Sequence, residues 1–524
     1  MKLAWKPEYS IFQRFFLMTL GVFLRISELL AKSKFGAVIA FAVLILLFFK
    51  KNPFVFFAPL LKILIWPLLL YRYLRFLYAD RRPLRPYTVR LGDYELPTES
   101  RLRHTHIVGA TGSGKTVLIE HLLFQDLKNG LGAVVIDPKG DRELFERVRD
   151  FCRSIGRSGD LHYLSATYPK ESKTWNPCQL GSASNLQTKF YNANTFSEPH
   201  YAKACEKGLL RAFENLLRQS PNGFALPDLV REIEIQNRET KNPMLEGLGY
   251  DLYNLASGEW STVIGAKSLE RREKAISLLE ITRRNEILFV DLPTEASAVQ
   301  SARVGKLLLQ ELMLISGLRK TFPNLRSDRP FSIYIDEFDA FASESFVTLL
   351  NKGRSSGFMI HLAHQTLSDL ERISPTFAGQ VMGNTNIRSV FRQDDPKDAE
   401  TWSKFFGTER TVKTTWQTDG GAETGMRSNR EVQEFRVKPD EIKELRTGRC
   451  ILSSKTDGIL TLLDVPPPLA IEEPTLELER FDPSTLSNAA SVPASRKIPL
   501  APKFKFSPEI VRSDVPGKKK GNAP

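Results

Sequence analysis

Cysteine is scarce in this sequence: four residues in 524, far apart, with no CxxC pair among them. This spacing excludes a thiolate metal cluster and a small fold held together by disulfides, and it is typical of a reducing compartment. Internal repeats are also missing, which excludes a repeat architecture. The remaining composition, 42% hydrophobic and 25% charged, is that of a folded chain, and the length allows about three domains.

Net charge is small outside the N-terminus. The whole chain carries +13, but residues 1–90 hold fifteen Lys and Arg against three acids, a balance of +12. The rest of the chain is therefore close to neutral and lacks the bulk basic excess of many DNA-binding proteins. Because the basic residues flank apolar segments, membrane topology explains them better than a DNA-binding surface.

Two apolar segments follow each other in this basic region. Residues 35–49 are uncharged, and residues 53–71 contain one charge, Lys62. We interpret them as a transmembrane hairpin, although a 15-residue helix covers only about 22 Å and needs Lys34 and Lys50 to reach the interface. The alternative is a re-entrant or interfacial anchor. The arginines after the second segment would hold the following domain in the cytoplasm.

An alternation of short β-rich runs and helical periods begins after residue 90. This pattern is typical of an α/β fold with a parallel sheet and crossover helices. The candidate strands are 105–108, 133–137, 161–164, 287–291, 332–336 and 358–363. Residues 182–281 show little strand character and repeat apolar residues at three and four, as in 201–218 and 268–281. We predict an inserted all-α subdomain there, protruding from the sheet domain.

The C-terminal part of the chain contains weaker strand signals. We predict strands at 412–416, 432–437, 450–453 and 459–464, with the last two joined in a hairpin. The polar, glycine-containing stretch 418–430 is predicted to be a mobile loop. Residues 466–524 contain eleven of the 31 prolines. Their composition predicts a disordered tail because it buries too little apolar surface to offset the entropy of ordering.

The clearest motif is GATGSGKT at residues 109–116, which fits GxxxxGK[ST] between a predicted strand and a predicted helix. Glycines allow consecutive backbone N–H groups to turn toward phosphate oxygens, and the helix N-terminus adds positive potential. Lys115 would reach the β and γ phosphates, and Thr116 would ligate magnesium. The alternative is a glycine-rich turn with an exposed lysine. The predicted phosphate-binding residues are Gly109, Ala110, Thr111, Gly112, Ser113, Gly114, Lys115 and Thr116.

A second motif, FSIYIDEF, places two acids at the end of an apolar strand. Together with a phosphate loop, Asp336 is predicted to hold hydrated magnesium and Glu337 to polarise the attacking water. The alternative is a pair of solvated carboxylates at a strand end. The presence of Glu337 favours ATP hydrolysis over a small GTPase switch.

Two more polar residues flank the next predicted strand. Gln365 lies just past it and is predicted to contact the γ-phosphate as a sensor. Arg354 precedes it and is either a finger offered to the nucleotide of the next subunit or a surface arginine in a solvated loop. His361 and His364 are three apart along a strand, so they should point to opposite faces, and we interpret both as structural.

The motifs, taken in order, resemble those of a known family. Besides the two above they are VVIDPKGD (134–141), WNP (175–177), ILFVDLPTE (287–295), NKGRSSGF followed by LAHQTLSDL, and GNTNIRSVFRQDDPKDAE (383–400). In order and spacing they resemble the coupling proteins of bacterial conjugation and type IV secretion, of the TraD and TraG type. That family belongs to the FtsK and HerA group of RecA-like motors. The resemblance covers roughly residues 101–464.

The resemblance implies a hexameric ATPase of the bacterial inner membrane, with a cytoplasmic ATPase domain that uses ATP and Mg²⁺. Its expected partners are single- or double-stranded DNA, relaxase and relaxosome proteins, and components of the secretion channel. The expected domains are an anchor (1–90), a RecA-like domain (91–181 and 282–465), an inserted all-α domain (182–281) and the tail (466–524). Many relatives carry a small periplasmic domain between the apolar segments, which is almost absent here.

The resemblance also implies a role for each site residue. It assigns the magnesium aspartate to Asp336, the glutamate to Glu337, the trans arginine to Arg354 and the glutamine to Gln365. Two other functions fit the sequence. One is a substrate receptor in which ATP only orders the assembly, as the near-neutral charge of the motor region favours. The other is a DNA translocase of the FtsK or HerA type that is not tied to secretion.

Overall fold

The computed structural model describes residues 86–196, 198–221, 223–240, 243–295, 297–419 and 422–468. The predicted transmembrane hairpin at 35–49 and 53–71 lies outside these residues, as does the predicted tail from residue 469 onward. No helix within the described ranges is both long and apolar enough to cross a membrane.

A nine-stranded sheet forms the centre of the described structure. The strands of the described residues, of which nine belong to this sheet, are β1 (Val89–Leu91), β2 (Tyr94–Leu96), β3 (Thr105–Val108), β4 (Gly132–Asp137), β5 (Leu161–Ser165), β6 (Thr174–Trp175), β7 (Ala275–Ile276), β8 (Ile287–Asp291), β9 (Phe331–Ile335), β10 (Phe358–His364), β11 (Ile387–Val390), β12 (Thr408–Asp419), β13 (Ala422–Phe435), β14 (Arg449–Ser454) and β15 (Ile459–Asp464). The other six form three separate two-stranded pairs, β1-β2, β6-β7 and β12-β13. The sheet order is β15-β14-β11-β3-β10-β9-β4-β8-β5. The seven strands from β11 to β5 are parallel, and β14 and β15 add an antiparallel hairpin.

Helices cover both faces of this sheet. The α-helices of the described residues are α1 (Thr98–Arg101), α2 (Lys115–Lys128), α3 (Arg142–Ser154), α4 (Ala183–Ala193), α5 (Pro199–Gln219), α6 (Leu226–Thr240), α7 (Pro243–Ser257), α8 (Leu278–Arg284), α9 (Ala298–Thr321), α10 (Val347–Ser356), α11 (Leu367–Glu371), α12 (Phe377–Asn384), α13 (Pro396–Phe406) and α14 (Pro439–Lys443). Successive strand residues point to opposite faces. Accordingly Val135 of β4 shares a hydrophobic cluster with Leu122 of α2, whereas Val134 shares another with Leu308 of α9.

The strands predicted at 105–108, 133–137, 161–164, 287–291, 332–336 and 358–363 are confirmed to within one residue at each end. Their apolar runs are buried on both faces, as a parallel sheet between two helical layers requires. The topology, with parallel strands and alternating helices behind a phosphate loop, is that of a RecA-like P-loop fold.

One strand of this sheet, β11, is absent from the prediction. Its sequence contains Arg388, which is almost fully buried although a strand core normally excludes an unpaired charge. The guanidinium of Arg388 donates to the carbonyl oxygens of Asn386 at 3.1 Å and Met382 at 2.6 Å, and it lies 4.1 Å from the centroid of the Phe405 ring. These backbone acceptors bind two of the three guanidinium nitrogens, and because the charge breaks the apolar pattern, sequence periodicity alone misses the strand.

The region predicted to be all-α, residues 182–281, is mainly helical, and α5 corresponds to the predicted helix at 201–218. The helix predicted at 268–281 is only partly right: a 3₁₀ segment covers Ala266–Lys274, with non-helical torsions at Arg271, and β7 pairs in parallel with β6 before α8 begins at Leu278. Leu209 of α5 and Leu252 of α7 belong to the same hydrophobic cluster as the sheet residue Val134. The insertion therefore packs against the sheet layer through a shared core, and the domain division itself stays a prediction.

The mobile loop predicted at 418–430 is also wrong. β12 and β13 pair antiparallel from Thr408↔Phe435 to Asp419↔Ala422, with a register shift between Trp416 and Thr418. The described side chains of this ribbon, among them Val412, are mostly exposed. The second strand consists mostly of polar residues without hydrophobic alternation, and this explains why it looks like a polar loop in sequence.

Candidate active site

The carboxyl ends of the central parallel strands meet at one edge of the sheet, and the predicted site residues lie there. The phosphate loop follows β3, Asp336 and Glu337 follow β9, and Gln365 follows β10. Since β10 lies between β3 and β9, the three segments are neighbours in space. Ligands of open α/β sheets bind at this edge.

The phosphate loop depends on its glycines. Gly112 and Gly114 have φ of +70° and +112°, a region in which other residues are strained. A Cβ added to Gly109 would lie 2.5 Å from the Cβ of Phe391, which follows β11. The backbone of the loop is therefore pressed against the neighbouring strand, with no room for a larger residue.

The turn before β14 supports the loop from another side. The N–H of Gly448 donates to the Ser113 carbonyl at 2.9 Å, and the Gly448 carbonyl accepts from Val465 at 2.7 Å. A Cβ on Gly114 would lie 3.3 Å from the Cα of Gly448. The loop is thus hydrogen-bonded to a segment more than 300 residues away in sequence and is fixed by long-range contacts as well as by its own turns.

Lys115 begins α2, and its side chain folds back over the loop. Its ammonium donates to the carbonyl oxygens of Gly109 at 2.6 Å and Ala110 at 3.1 Å. Burial lowers the pKa of Lys115, and the nearby carboxylate of Asp336 opposes this shift. An ammonium over exposed N–H groups at a helix N-terminus is a site for phosphate oxygens, which the sequence predicts here.

Thr116 and Asp336 face each other across this site. The Thr116 hydroxyl donates to the Asp336 carboxylate at 2.9 Å, and the backbone N–H of Glu337 donates to the other carboxylate oxygen at 3.0 Å. Asp336 is only 4% exposed. A hydroxyl beside a carboxylate is the kind of oxygen donor set that magnesium uses together with waters and substrate phosphates. The two residues therefore fit the predicted magnesium role.

No group of three or more His, Cys, Asp or Glu within the described ranges could hold a metal ion by itself. Magnesium often binds through one or two protein oxygens plus substrate phosphates and water, rather than in a cage of protein ligands. A cation at Thr116 and Asp336 would accordingly be completed by the nucleotide.

Glu337 and Gln365 lie beside each other at the same edge of the sheet. Glu337 has a left-handed backbone with φ of +38°, a conformation that costs on the order of 1 kcal/mol or more in a residue other than glycine. The amide N–H₂ of Gln365 lies 3.5 Å from the Glu337 carboxylate, and its carbonyl accepts from the Thr111 hydroxyl at 3.0 Å. Gln365 therefore links the phosphate loop to the acid after β9, as expected for a residue that senses a terminal phosphate.

Two residues at the end of β4 belong to the site, although the sequence analysis gives them no role. The ammonium of Lys139 lies 2.8 Å from Asp336, 3.3 Å from the Thr116 hydroxyl and 3.6 Å from Glu337. Burial lowers the pKa of Lys139 in part, but Asp336 and then Glu337 outweigh it, so that pKa is raised. The motif VVIDPKGD places this lysine just after a predicted strand, but the motif does not indicate that this strand lies beside the Asp-Glu strand.

Asp137 organises the turn that carries Lys139. Its carboxylate accepts from the backbone N–H of Lys139 at 3.1 Å and of Asp141 at 2.7 Å. Burial raises the pKa of Asp137 to about 7, against the effect of these two backbone hydrogen bonds. The carboxylate therefore holds the backbone of the turn in place.

Arg354 is the one predicted site residue that lies elsewhere in its own chain. It is exposed in the last turn of α10, just before β10 begins, whereas Gln365 follows the far end of the same strand. Seven residues of β10 separate these positions by roughly 20 Å at about 3.3 Å per residue. Arg354 is therefore remote from the phosphate loop of the same molecule, as both a surface arginine and a finger for a neighbouring molecule require.

Two family models match the chain, and the first of them extends into the inserted helical region. Residues 88–233 match the type IV secretion-system coupling protein DNA-binding domain, and residues 330–447 match the TraM recognition site of TraD and TraG. The first match contains the phosphate loop and Lys139. The second contains Asp336, Glu337, Arg354 and Gln365, so every predicted site residue lies in a matched region.

A curated relative is the type 4 coupling protein DotL of Legionella pneumophila, which is 25% identical over 380 residues. The match covers 58% of this chain and 48% of the relative, so the chain spans about half the length of the curated relative it matches.

Solved structures with a similar fold include the bacterial conjugative coupling protein TrwBdeltaN70 in an unbound form. It has 18% sequence identity and a TM-score of 0.59, and the match covers 76% of this chain and 92% of that one. TrwB in complex with ADP and Mg²⁺ gives a TM-score of 0.56 at 18% identity, with 74% and 91% of the two chains covered. At these identities the likeness shows the RecA-like fold. Together, the two family matches and the coupling-protein relative support membership of the family of type IV secretion coupling proteins.

Proposed function

We propose that the chain is a coupling ATPase that recruits a relaxase–DNA complex or a protein substrate and drives its transfer into a type IV secretion or conjugation channel. The observation that carries the proposal is the convergence of Lys115, Thr116, Asp336, Glu337 and Gln365 at one edge of the sheet. A chain that only bound a partner would not need this arrangement of charged groups.

The nucleotide chemistry follows from what each side chain can do. Lys115 and the loop N–H groups would hold the β and γ phosphates, and Glu337 would orient the attacking water and accept its proton. Gln365, bonded to both the loop and Glu337, would report whether the γ-phosphate is present. Bound magnesium would neutralise charge that develops on the phosphate oxygens, with Thr116 and Asp336 as its protein contacts. TrwB has been solved with ADP and Mg²⁺ and with an ATP analogue, which supports the same cofactors here.

A ring of subunits would give Arg354 a role. Its exposed guanidinium lies far from the phosphate loop of its own chain, but a neighbouring subunit could receive it. An arginine inserted in this way stabilises the charge of the transition state. We therefore include a homohexamer, with Arg354 acting in trans, in the proposed function.

The location in the cell is inferred from the N-terminal sequence. The two apolar segments and the arginines that follow them favour an anchor in the bacterial inner membrane, with the ATPase domain in the cytoplasm. The proposed partners are DNA, relaxosome proteins and components of the secretion channel. The family descriptions, a DNA-binding domain and a TraM recognition site, support the first two of these.

The full chain, purified in detergent, provides the test. We expect it to hydrolyse ATP in the presence of magnesium, to respond to single-stranded DNA, and to lose hydrolysis on Lys115→Ala. The matched control is Lys128→Ala, at the exposed far end of the same helix. Equal hydrolysis by the Lys115→Ala protein would refute the proposed mechanism. The mass of the assembly in detergent measures the subunit number.

A substrate receptor is the second candidate function, because the insertion presents exposed aromatic side chains. Tyr250 and Tyr253 on α7 are 67% and 51% exposed, and such residues are common at binding interfaces. If the receptor function is separate, Tyr250→Ala with Tyr253→Ala should abolish capture of a relaxosome protein while ATP hydrolysis is unchanged. Loss of hydrolysis together with capture would argue against a separate receptor function.

A further inference from the structure

The ammonium of Lys139 lies where a magnesium ion would meet the protein. It is 2.8 Å from Oδ2 of Asp336 and 3.3 Å from the hydroxyl of Thr116, the two groups that fit a magnesium site. Oδ2 of Asp336 is the same oxygen that accepts from Thr116. One cationic group thus already occupies the space between the two candidate ligands.

The backbone under this side chain is fixed. The N–H of Lys139 donates to Asp137, and the next residue, Gly140, has φ of +68° and packs against Asp291, whose carboxylate would lie 3.0 Å from an added Cβ. The ammonium is delivered by a flexible four-carbon stem, and the side chain is 37% exposed. Lys139 can therefore leave the site by side-chain rotation without any change in the turn.

A magnesium ion and this ammonium cannot share the site. Magnesium binds oxygen at about 2.0–2.1 Å, directly or through water held in strict octahedral geometry. An ammonium hydrogen-bonded to the same hydroxyl and carboxylate would lie within the first or second shell of the ion, where like charges repel. The metal must displace Lys139 before Thr116 and Asp336 can serve it.

We propose that Lys139 is a displaceable cation that competes with magnesium for Thr116 and Asp336. It neutralises the carboxylates after β9 and competes with any metal ion that arrives without nucleotide. Nucleotide phosphates would add negative charge and further oxygen ligands, so that magnesium bound together with a nucleotide would displace the ammonium of Lys139. This inference rests on the proposed function and adds the requirement that metal and nucleotide load together.

Mn²⁺ binding followed by electron paramagnetic resonance tests this competition directly, because free Mn²⁺ gives the signal and bound Mn²⁺ loses it. The full chain in detergent is titrated with Mn²⁺ with and without ADP, and ADP affinity is measured in parallel. We expect Lys139→Met to lower the Mn²⁺ concentration at half-saturation by about three- to ten-fold, since a charged hydrogen bond no longer has to be broken. Lys139→Arg, which keeps the charge, should stay near the wild-type value.

Two further variants make the outcome decisive. Lys139→Gln is a second neutral replacement in case the methionine variant folds poorly, and Lys128→Met removes a lysine distant from the site. An unchanged or raised Mn²⁺ midpoint in both neutral variants, with ADP still bound, would overturn the role of Lys139 and leave the proposed function intact. Failure of the wild-type chain to bind ADP or Mn²⁺ would overturn the proposed function and this inference with it.

Discussion

The hydroxyl of Thr116 and the carboxylate of Asp336 are hydrogen-bonded at 2.9 Å although 220 residues separate them in sequence. The first stands at the start of the helix after β3 and the second at the end of β9, with β10 between the two strands. Their contact joins the two motifs on which the proposed function depends.

Thr116→Val and Asp336→Asn should each remove most of the gain in ADP affinity that magnesium confers, because each takes away a ligand of the ion. The expected loss of ADP affinity in magnesium is about ten-fold or more. The double variant should bind ADP about as tightly as the single variant that binds it less tightly. Titration of a fluorescent ADP with and without magnesium measures this. Additive losses would mean that the two residues do not serve one ion.

Glu337→Gln should abolish turnover while nucleotide affinity stays near wild type. The amide cannot accept the proton of the attacking water, and the expected loss in kcat is about 10²- to 10⁴-fold. The control is Glu344→Gln, which changes an exposed glutamate in the short 3₁₀ turn Glu344–Phe346. Full turnover in the Glu337→Gln protein would assign the base role to another group.

Arg354→Ala should lower kcat by about 10³- to 10⁵-fold if the guanidinium acts on the nucleotide of the next subunit. Nucleotide affinity should be unchanged, since a finger acts in the transition state. Mixing this variant with the Lys115→Ala protein should restore part of the activity, because some interfaces then combine an intact loop with an intact arginine.

The control for that experiment is Arg153→Ala, an exposed arginine that pairs with Asp150 across one helical turn. It should leave hydrolysis unchanged. If Arg354→Ala behaves like this control, Arg354 is a surface residue.

Gly109→Ala should destabilise the fold by about 1–3 kcal/mol, because its methyl group would collide with the Cβ of Phe391. Gly317→Ala, in an exposed part of α9 with nothing within 4 Å of the added atom, is the matched control. That variant should gain up to about 1 kcal/mol from higher helix propensity. Urea unfolding measures both, and equal stability of the Gly109→Ala protein would show that the loop can relax.

The pH dependence of stability should contain a contribution from Asp137. Burial raises its pKa from 3.8 to about 7 in the folded state. Between these values the Asp137 carboxyl binds more protons in the folded chain than in the unfolded one, so this group favours folding at low pH, and its contribution is lost as pH rises toward 7. His104 and His364, whose pKa values burial lowers to about 4, act in the opposite direction below pH 6.5.

Asp137→Asn isolates this contribution. The free energy of unfolding of the wild type minus that of the variant should fall by an amount on the order of a few kcal/mol between pH 5 and pH 7. A pH-independent difference between the two proteins would show that Asp137 is ionised at both pH values.

The sequence predicted the parts of the site that depend on local pattern. The phosphate loop and the Asp-Glu pair follow apolar strands, and such strands can be recognised because burial on both faces makes them continuously hydrophobic. Lys139 was missed because its role comes from the position of β4 next to β9, and strand order is a long-range property. β11 was missed because Arg388 interrupts its apolar run, and only the surrounding carbonyl groups show how that charge is accommodated.

The two hydrogen bonds through Gly448 have a practical consequence for shortened versions of this protein. They connect Ser113 to Val465 in two steps, and His121 of α2 adds a contact with the carbonyl of Pro466. A truncation placed before residue 465 to remove the proline-rich segment would remove the contacts of Val465 and Pro466 that support the phosphate loop and α2. Any version lacking the tail should retain the chain through residue 466.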